Sequence, residues 1–196
     1  SIFNTIQACM NSDYPGRIEC IAVDDGSTDN TFAEMGRASV LYGKRRVRAF
    51  SLCVNRGKRE AMAVGVSFTK NRIIVFVDSD SFLEKDALRL LVHHFSDRKV
   101  GAVSGNTRVE NYWVNMLTKM QSIRYAISYD IFKSSESLFG AVTCCPGCFS
   151  AYRREAILPV ISLWRNQMFM GTRSTFGDDR SLTNFVLRNW RVVYCE

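Results

Sequence analysis

Short runs rich in β-branched and aliphatic residues recur at 18–23, 47–53, 73–77 and 100–103, and the stretches between them carry apolar residues at helical spacing. That alternation predicts repeated βαβ units. The first intervening stretch opens with Ser27 and Thr28 as N-cap candidates and continues through Phe32, Met35 and Ala38, and the second covers 57–68. Within 85–95, Leu88, Leu91, Val92 and Phe95 mark one helical face. From 112 to 135 the pattern becomes a long amphipathic segment without Gly or Pro, which predicts one or two helices whose Trp and Tyr residues pack inward. Shorter β-prone runs at 149–152 and 191–195 flank further helix, including 179–187. The expectation is an α/β fold with a mostly parallel central sheet flanked by helices.

Composition narrows this to one globular domain, because 196 residues with 46% hydrophobic and only 3 Pro exclude collagen-like and disordered chains. The 26 basic against 19 acidic residues give +7, which favours an anionic partner: a nucleotide, a nucleic acid or an anionic membrane face. No apolar run approaches the roughly 18 residues of a membrane span, and the amino end lacks a charged leader. A start inside a helical pattern suggests a piece of a longer protein. Seven cysteines, an odd number set in apolar runs, read as reduced thiols of a cytosolic setting; the CxxC at 145–148 has no second pair at zinc spacing.

In a sheet of βαβ units, ligands gather beyond the carboxyl ends of the strands, and here those ends are acidic. Asp24 and Asp25 close the first run and Asp78 and Asp80 the third, so two carboxylate pairs are expected on one sheet edge. Asp78-Ser79-Asp80 offers the hard oxygens that magnesium or manganese prefers, although such triplets also cap helices. Asp24-Asp25-Gly26-Ser27 serves equally as a turn. Asn55-Arg56-Gly57-Lys58-Arg59 supplies basic side chains for a diphosphate, or solvated charge. Gly177-Asp178-Asp179-Arg180 offers a general base before a helix, or a helix cap. His93 and His94 read as structural, and the basic cluster 44–48 as solvated. Neither GxGxxG after the first run nor a Walker loop occurs.

Taken in order, residues 23–29, 77–80 and 177–180 resemble the processive family 2 glycosyltransferases, with 55–61 similar to their lysine motif and 143–147 with 152–154 to their acceptor segment. The GDDR form and Ser181-Leu182-Thr183-Asn184 are most similar to hyaluronan synthases, with chitin and nodulation chitooligosaccharide synthases next. The resemblance covers nearly the whole chain. Two departures are Cys148, where many members carry Pro, and Asn106 in place of an Asp.

The resemblance implies a GT-A, Rossmann-like catalytic domain whose residues 1–110 bind nucleotide and whose residues 111–196 hold the acceptor and the base. It implies a membrane-embedded parent with this domain facing the cytoplasm. The first strand would precede Ser1, membrane helices would lie on both sides, and a Gln-x-x-Arg-Trp motif would follow Glu196. Asp25, Lys58 and Asp78 would bind nucleotide, Asp78 and Asp80 a Mg or Mn ion, and Asp179 would be the catalytic base. Gly147, Cys145, Asp178 and Arg180 would line the acceptor site. The donor would be UDP-N-acetylglucosamine, with UDP-glucuronic acid if the polymer is hyaluronan, and the acceptor a growing polysaccharide. The rival readings are a nucleotidyltransferase, a silent assembly domain and a nucleic-acid-binding module, the last opposed by three acidic clusters facing a phosphate backbone.

Overall fold

The computed structural model describes residues 2–174 and 176–196. In chain order the elements are α1 Ile2–Met10, β1 Cys20–Asp24, α2 Thr31–Tyr42, β2 Val47–Ser51, α3 Lys58–Ser67, β3 Ile73–Phe76, α4 Ala87–His93, β4 Val100–Ser104, α5 Met116–Ala126, α6 Ser134–Leu138, β5 Ser150–Arg153, α7 Arg154–Arg165, β6 Met168–Phe169, β7 Thr172–Arg173, α8 Asp178–Leu187 and β8 Arg191–Tyr194. A π-helical stretch, Ile127–Lys133, joins α5 to α6.

Strands β1 and β2 pair in parallel. The other main sheet has the order β3-β5-β4-β8, in which β3, β4 and β8 run one way and β5 is inserted antiparallel. The expected shared direction therefore holds, but the sheet is mixed where β5 returns. The two acidic strand ends also do not lie on one hydrogen-bonded edge. Among the described residues β1 and β3 are not paired, and a cleft of about 850 Å³ separates them. Residues 20–24 of β1 and 73–76 of β3 line it, and Asp24, Asp25, Lys58 and Asp78 rim it.

Three apolar clusters explain these layers. Val66, Ile74, Ala102, Tyr152, Ile157, Trp164, Leu182 and Val186 fill the interface of α3, α7 and α8 with one sheet face. Leu88, Leu91, Phe95, Val103, Ala151 and Val193 pack α4 against the other. Ile6, Met10, Ala22, Met35, Ala38 and Val47 join α1 and α2 to the two-stranded sheet.

Two local expectations are corrected. Helix α2 begins at Thr31, whose N–H donates to Asp29 Oδ1 at 2.9 Å, whereas the Ser27 N–H donates back to Asp24 Oδ1 at 3.1 Å. Ser27 thus closes the β1 turn and neither Ser27 nor Thr28 caps the helix. The second correction concerns the 112–135 segment, where α5 buries no residue at all. Tyr129 is buried in the following turn, but Trp113, Met116, Met120, Ile123, Ile127 and Ile131 are exposed. The half-buried positions of α5 are Thr118, Ser122 and Tyr125, so its apolar stripe faces outward.

Trp164 is fully buried and its Nε1–H donates to the Asp178 carbonyl at 3.0 Å. Trp164→Ala is expected to cost about 3–5 kcal/mol of stability, the range for deleting a buried aromatic. Urea unfolding measures it, and a loss below about 1 kcal/mol would contradict this packing.

Candidate active site

The rim of the cleft is assembled by backbone contacts between loops. Gly26 has φ 76°, and a Cβ there would lie 2.6 Å from Asn55 N, so only glycine lets the β1 and β2 loops approach this closely. The approach carries Asp25 to the second loop, where Oδ1 accepts from Arg56 N–H at 2.7 Å and Oδ2 from Gly57 N–H at 2.8 Å. Asp24, buried, accepts from Ser27 N–H and from Ser51 Oγ at 3.0 Å. Burial pushes its carboxyl up, but these hydrogen bonds prevail and hold it below the usual range.

With the loop fixed, Lys58 opens α3 and its Nζ donates to Asp78 Oδ1 at 2.7 Å. Burial opposes the lysine charge, yet the Asp78 hydrogen bond and the charges of Asp179, Asp78 and Asp178 hold its pKa above the ordinary value. Asp80 lies exposed in the turn beyond Asp78. On the other side Asp179, in the first turn of α8, accepts from Gly147 N–H at 2.8 Å through Oδ2. A Cβ on Gly147 would fall 2.5 Å from Lys58 Nζ and 3.0 Å from Asp179 Oδ1. Lys58, Asp78, Gly147 and Asp179 therefore meet in one place, from four separate segments of the chain.

Electrostatics distinguish the acids at this meeting point. Desolvation raises Asp179 above the usual carboxylate range, with Asp78 and Asp178 adding to it, against the Gly147 N–H and the Lys58 charge. A half-buried carboxylate with a raised pKa, restrained by one N–H, is suited to accept a proton.

Other expected site residues are placed differently. The Cys145 side chain is buried in the core and its thiol is pushed up to about 12 by burial, so it lines the hydrophobic interior and not an open acceptor surface. Asp178 turns inward to an ion pair with Arg59. Arg180 is exposed beside Cys144. Arg59, expected among the free basic groups of its loop, is buried. Its spacing from Met62 and Val66, three and seven residues on, is the signal that could have placed it on the apolar face of α3. Thr183 was also missed; its Oγ1 donates to the Asp179 carbonyl at 2.6 Å and accepts from Cys145 N–H at 2.9 Å, tying α8 to the segment before Gly147.

A divalent cation fits the donor set at the strand end. Among the described residues no three or more His, Cys, Asp or Glu side chains gather for a metal; the carboxylates of Asp78 and Asp80 are of the hard-oxygen type a Mg or Mn ion would take, with diphosphate and water oxygens completing its shell. Of the CxxC pair, Cys145 is buried in the core and Cys148 only half-buried.

The arrangement of strands and helices around this cleft has counterparts among known structures. The chain superposes on a mannosyltransferase from Pyrobaculum calidifontis in complex with GDP-Man and Mn2+ with a TM-score of 0.74 at 23% identity, covering 99% of this chain and 52% of that one. It also superposes on S. aureus TarS in complex with UDP-GlcNAc, with a TM-score of 0.66 at 17% identity, covering 98% of this chain and 51% of the other. Residues 1–158 match the model of Glycosyl transferase family 2, and the chain belongs to that family, with the expected GT-A arrangement. It is 33% identical to a hyaluronan synthase of Streptococcus pyogenes over 99% of this chain and 47% of the relative, and 33% identical to an N-acetylglucosaminyltransferase of Rhizobium meliloti over 93% and 44%. The chain thus spans about half the length of these curated relatives.

Gly147→Ala is expected to push Lys58 off Asp78 and lower glycosyl transfer by about tenfold or more, because small displacements of positioning groups are costly. Stability should change by less than about 1 kcal/mol, since Lys58 is flexible and the ion pair partly solvated. Equal activity in the alanine variant, measured as nucleotide release, would show that the Gly147 contact is dispensable.

Proposed function

We propose that this chain is the catalytic domain of an inverting, metal-dependent, processive glycosyltransferase that moves sugar from a UDP-sugar to a growing β-linked polysaccharide, hyaluronan being the product. The observation carrying the proposal is the meeting of Asp179, held by Gly147 N–H, with the Lys58–Asp78 pair at the rim of the cleft. Equal identity to a hyaluronan synthase and an N-acetylglucosaminyltransferase favours N-acetylglucosamine as one donor sugar, and makes a chitin-like polymer the second reading.

On this reading the uridine base sits at the Asp25 loop and the diphosphate lies toward Lys58. A cation held by Asp78 and Asp80 would supply Lewis-acid neutralisation of the leaving diphosphate. Lys58 adds a fixed positive charge beside it. The acceptor sugar enters past Gly147 and Arg180, and its hydroxyl oxygen forms the new bond to the anomeric carbon while its proton passes to Asp179. The bond from that carbon to the UDP oxygen breaks, and UDP carries away the electron pair. One base and no second nucleophile make this a single displacement with inversion; general-base assistance of this kind contributes about 10²–10⁴-fold.

The parent is proposed to be membrane-embedded, with this domain on its cytoplasmic side. None of the described helices is long and apolar enough to cross a bilayer. The outward stripe of Met116, Met120, Ile123, Ile127 and Ile131, with Trp113 before it and Lys119 and Arg124 alongside, has the make-up of a surface that lies against lipid. Nucleic acid is a poor partner for a cleft rimmed by Asp24, Asp25 and Asp78.

UDP release by the full-length protein, with UDP-N-acetylglucosamine alone and then with UDP-glucuronic acid, tests the donor. Polymer only with both donors identifies hyaluronan, polymer from the first alone replaces it with the chitin-like product, and no release from either overturns the reading. Asp179→Asn should abolish transfer yet leave UDP affinity within about twofold, whereas Asp80→Asn should weaken metal-dependent UDP binding.

The pH profile gives a further check. A base works only when deprotonated, and Asp179 is raised, so activity should fall on acidification through a pKa above the ordinary carboxylate value of about 4. Lys58→Met removes a charge that favours ionised Asp179 and should move this acid limb to higher pH. An unshifted limb would assign it to another group.

A further inference from the structure

Arg59 and Asp178 each adjoin a residue of the site, Lys58 and Asp179 respectively, and the two inner residues form a buried ion pair behind the outer two. Arg59 is 7% exposed, and its guanidinium uses all its nitrogens. Nε donates to Asp178 Oδ1; Nη1 donates to the Trp164 carbonyl at 3.0 Å and Gln167 Oε1 at 3.2 Å; Nη2 donates to Ser174 Oγ and the Phe176 carbonyl, both at 3.2 Å. Five contacts match the five N–H donors that arginine owns. The guanidinium also lies 5.4 Å from the Trp164 ring centroid. One side chain of α3 therefore gathers the end of α7, the start of α8 and the segment between them.

We propose that Arg59, acting through Asp178, is a positioning residue for the reaction: it fixes the start of α8 against the start of α3, and so sets the separation between Asp179 and the Lys58–Asp78 pair. This rests on the transferase reading above. Geometry supports it in three ways. Lys58 and Asp179 each stand in the first turn of a helix, where no preceding turn restrains the backbone. The N-cap of α8, Gly177, is left-handed with φ 68° and makes no side-chain cap, so the local chain does not fix where α8 begins. The exposed β6–β7 hairpin between α7 and α8 contributes little packing of its own, and Arg59 holds both of its flanks.

A purely structural pair and a positioning pair differ in what restores function. A buried ion pair exchanged for apolar residues of similar volume keeps a fold stable, whereas loss of one partner strands the other charge. The experiment compares the full-length protein with Arg59→Met/Asp178→Leu, reading thermal melting, UDP affinity, kcat and the donor KM. The expected result is native-like melting and UDP affinity within about twofold, with kcat lowered about 10²-fold and KM little changed. A double variant that melts like the native protein and turns over at its rate overturns the proposal. Arg59→Lys, which keeps the charge but not the planar fork, decides by the same readings if the double variant does not fold: a kcat reduced tenfold or more supports positioning, and an unchanged kcat overturns it. Absence of UDP-sugar transfer by the native protein instead refutes the transferase reading, and is read before either variant.

Discussion

A guanidinium cannot remain buried unless nearly all its donors are matched, and this requirement organises the packing of α3, α7 and α8. Satisfying Arg59 demands carbonyls from Trp164 and Phe176 and side chains from Gln167, Ser174 and Asp178, groups spread over 15 residues of chain. Meeting that demand brings α7 and α8 onto α3. Once α8 is seated, Thr183 can bond the Cys145 N–H, and Gly147 is carried to Asp179. The polar network and the apolar cluster around Trp164 and Leu182 thus specify the same packing.

Much of the fold was legible because hydrophobic period is a local signal. The runs at 18–23, 47–53, 73–77 and 100–103 each became a strand within a few residues of the expected limits. The insertion of β5 against the direction of its neighbours was not, since strand direction is settled by how the chain returns and not by composition. The outward stripe of α5 was not legible for a related reason. Periodicity shows that an apolar face exists, but not what covers it, and Met120 and Ile123 sit outside while Thr118 and Ser122 turn inward.

At the site, the acidic strand ends announced themselves by position, since Asp78 follows an apolar run wherever that run is placed. The division of labour between adjacent residues did not. Lys58 and Arg59 look equivalent in sequence, as do Asp178 and Asp179, yet one of each pair joins the meeting point with Asp78 and Gly147 and the other forms the ion pair behind it. That difference arises from helical phase. Along α3, Arg59 shares the face of Val66, while Lys58 points off that face toward Asp78.

The gap between β1 and β3 interrupts the hydrogen bonding between the two-stranded and the four-stranded sheet, which form the lobes on its two sides. Hydrogen bonds across a continuous sheet would lock the two lobes, but among the described residues these strands share none. Besides the packing of α3 and the loop before β1, three hydrogen bonds reach across the gap: Thr5 Oγ1 to the Ser79 carbonyl at 2.9 Å, Asp13 N–H to the Lys85 carbonyl at 2.8 Å, and Lys58 to Asp78. Two of the three lie within or beside the acidic turn at 78–80. The turn at 78–80 is therefore also a fastener across the gap, and a ligand drawing Asp78 away from Lys58 would remove one of these attachments.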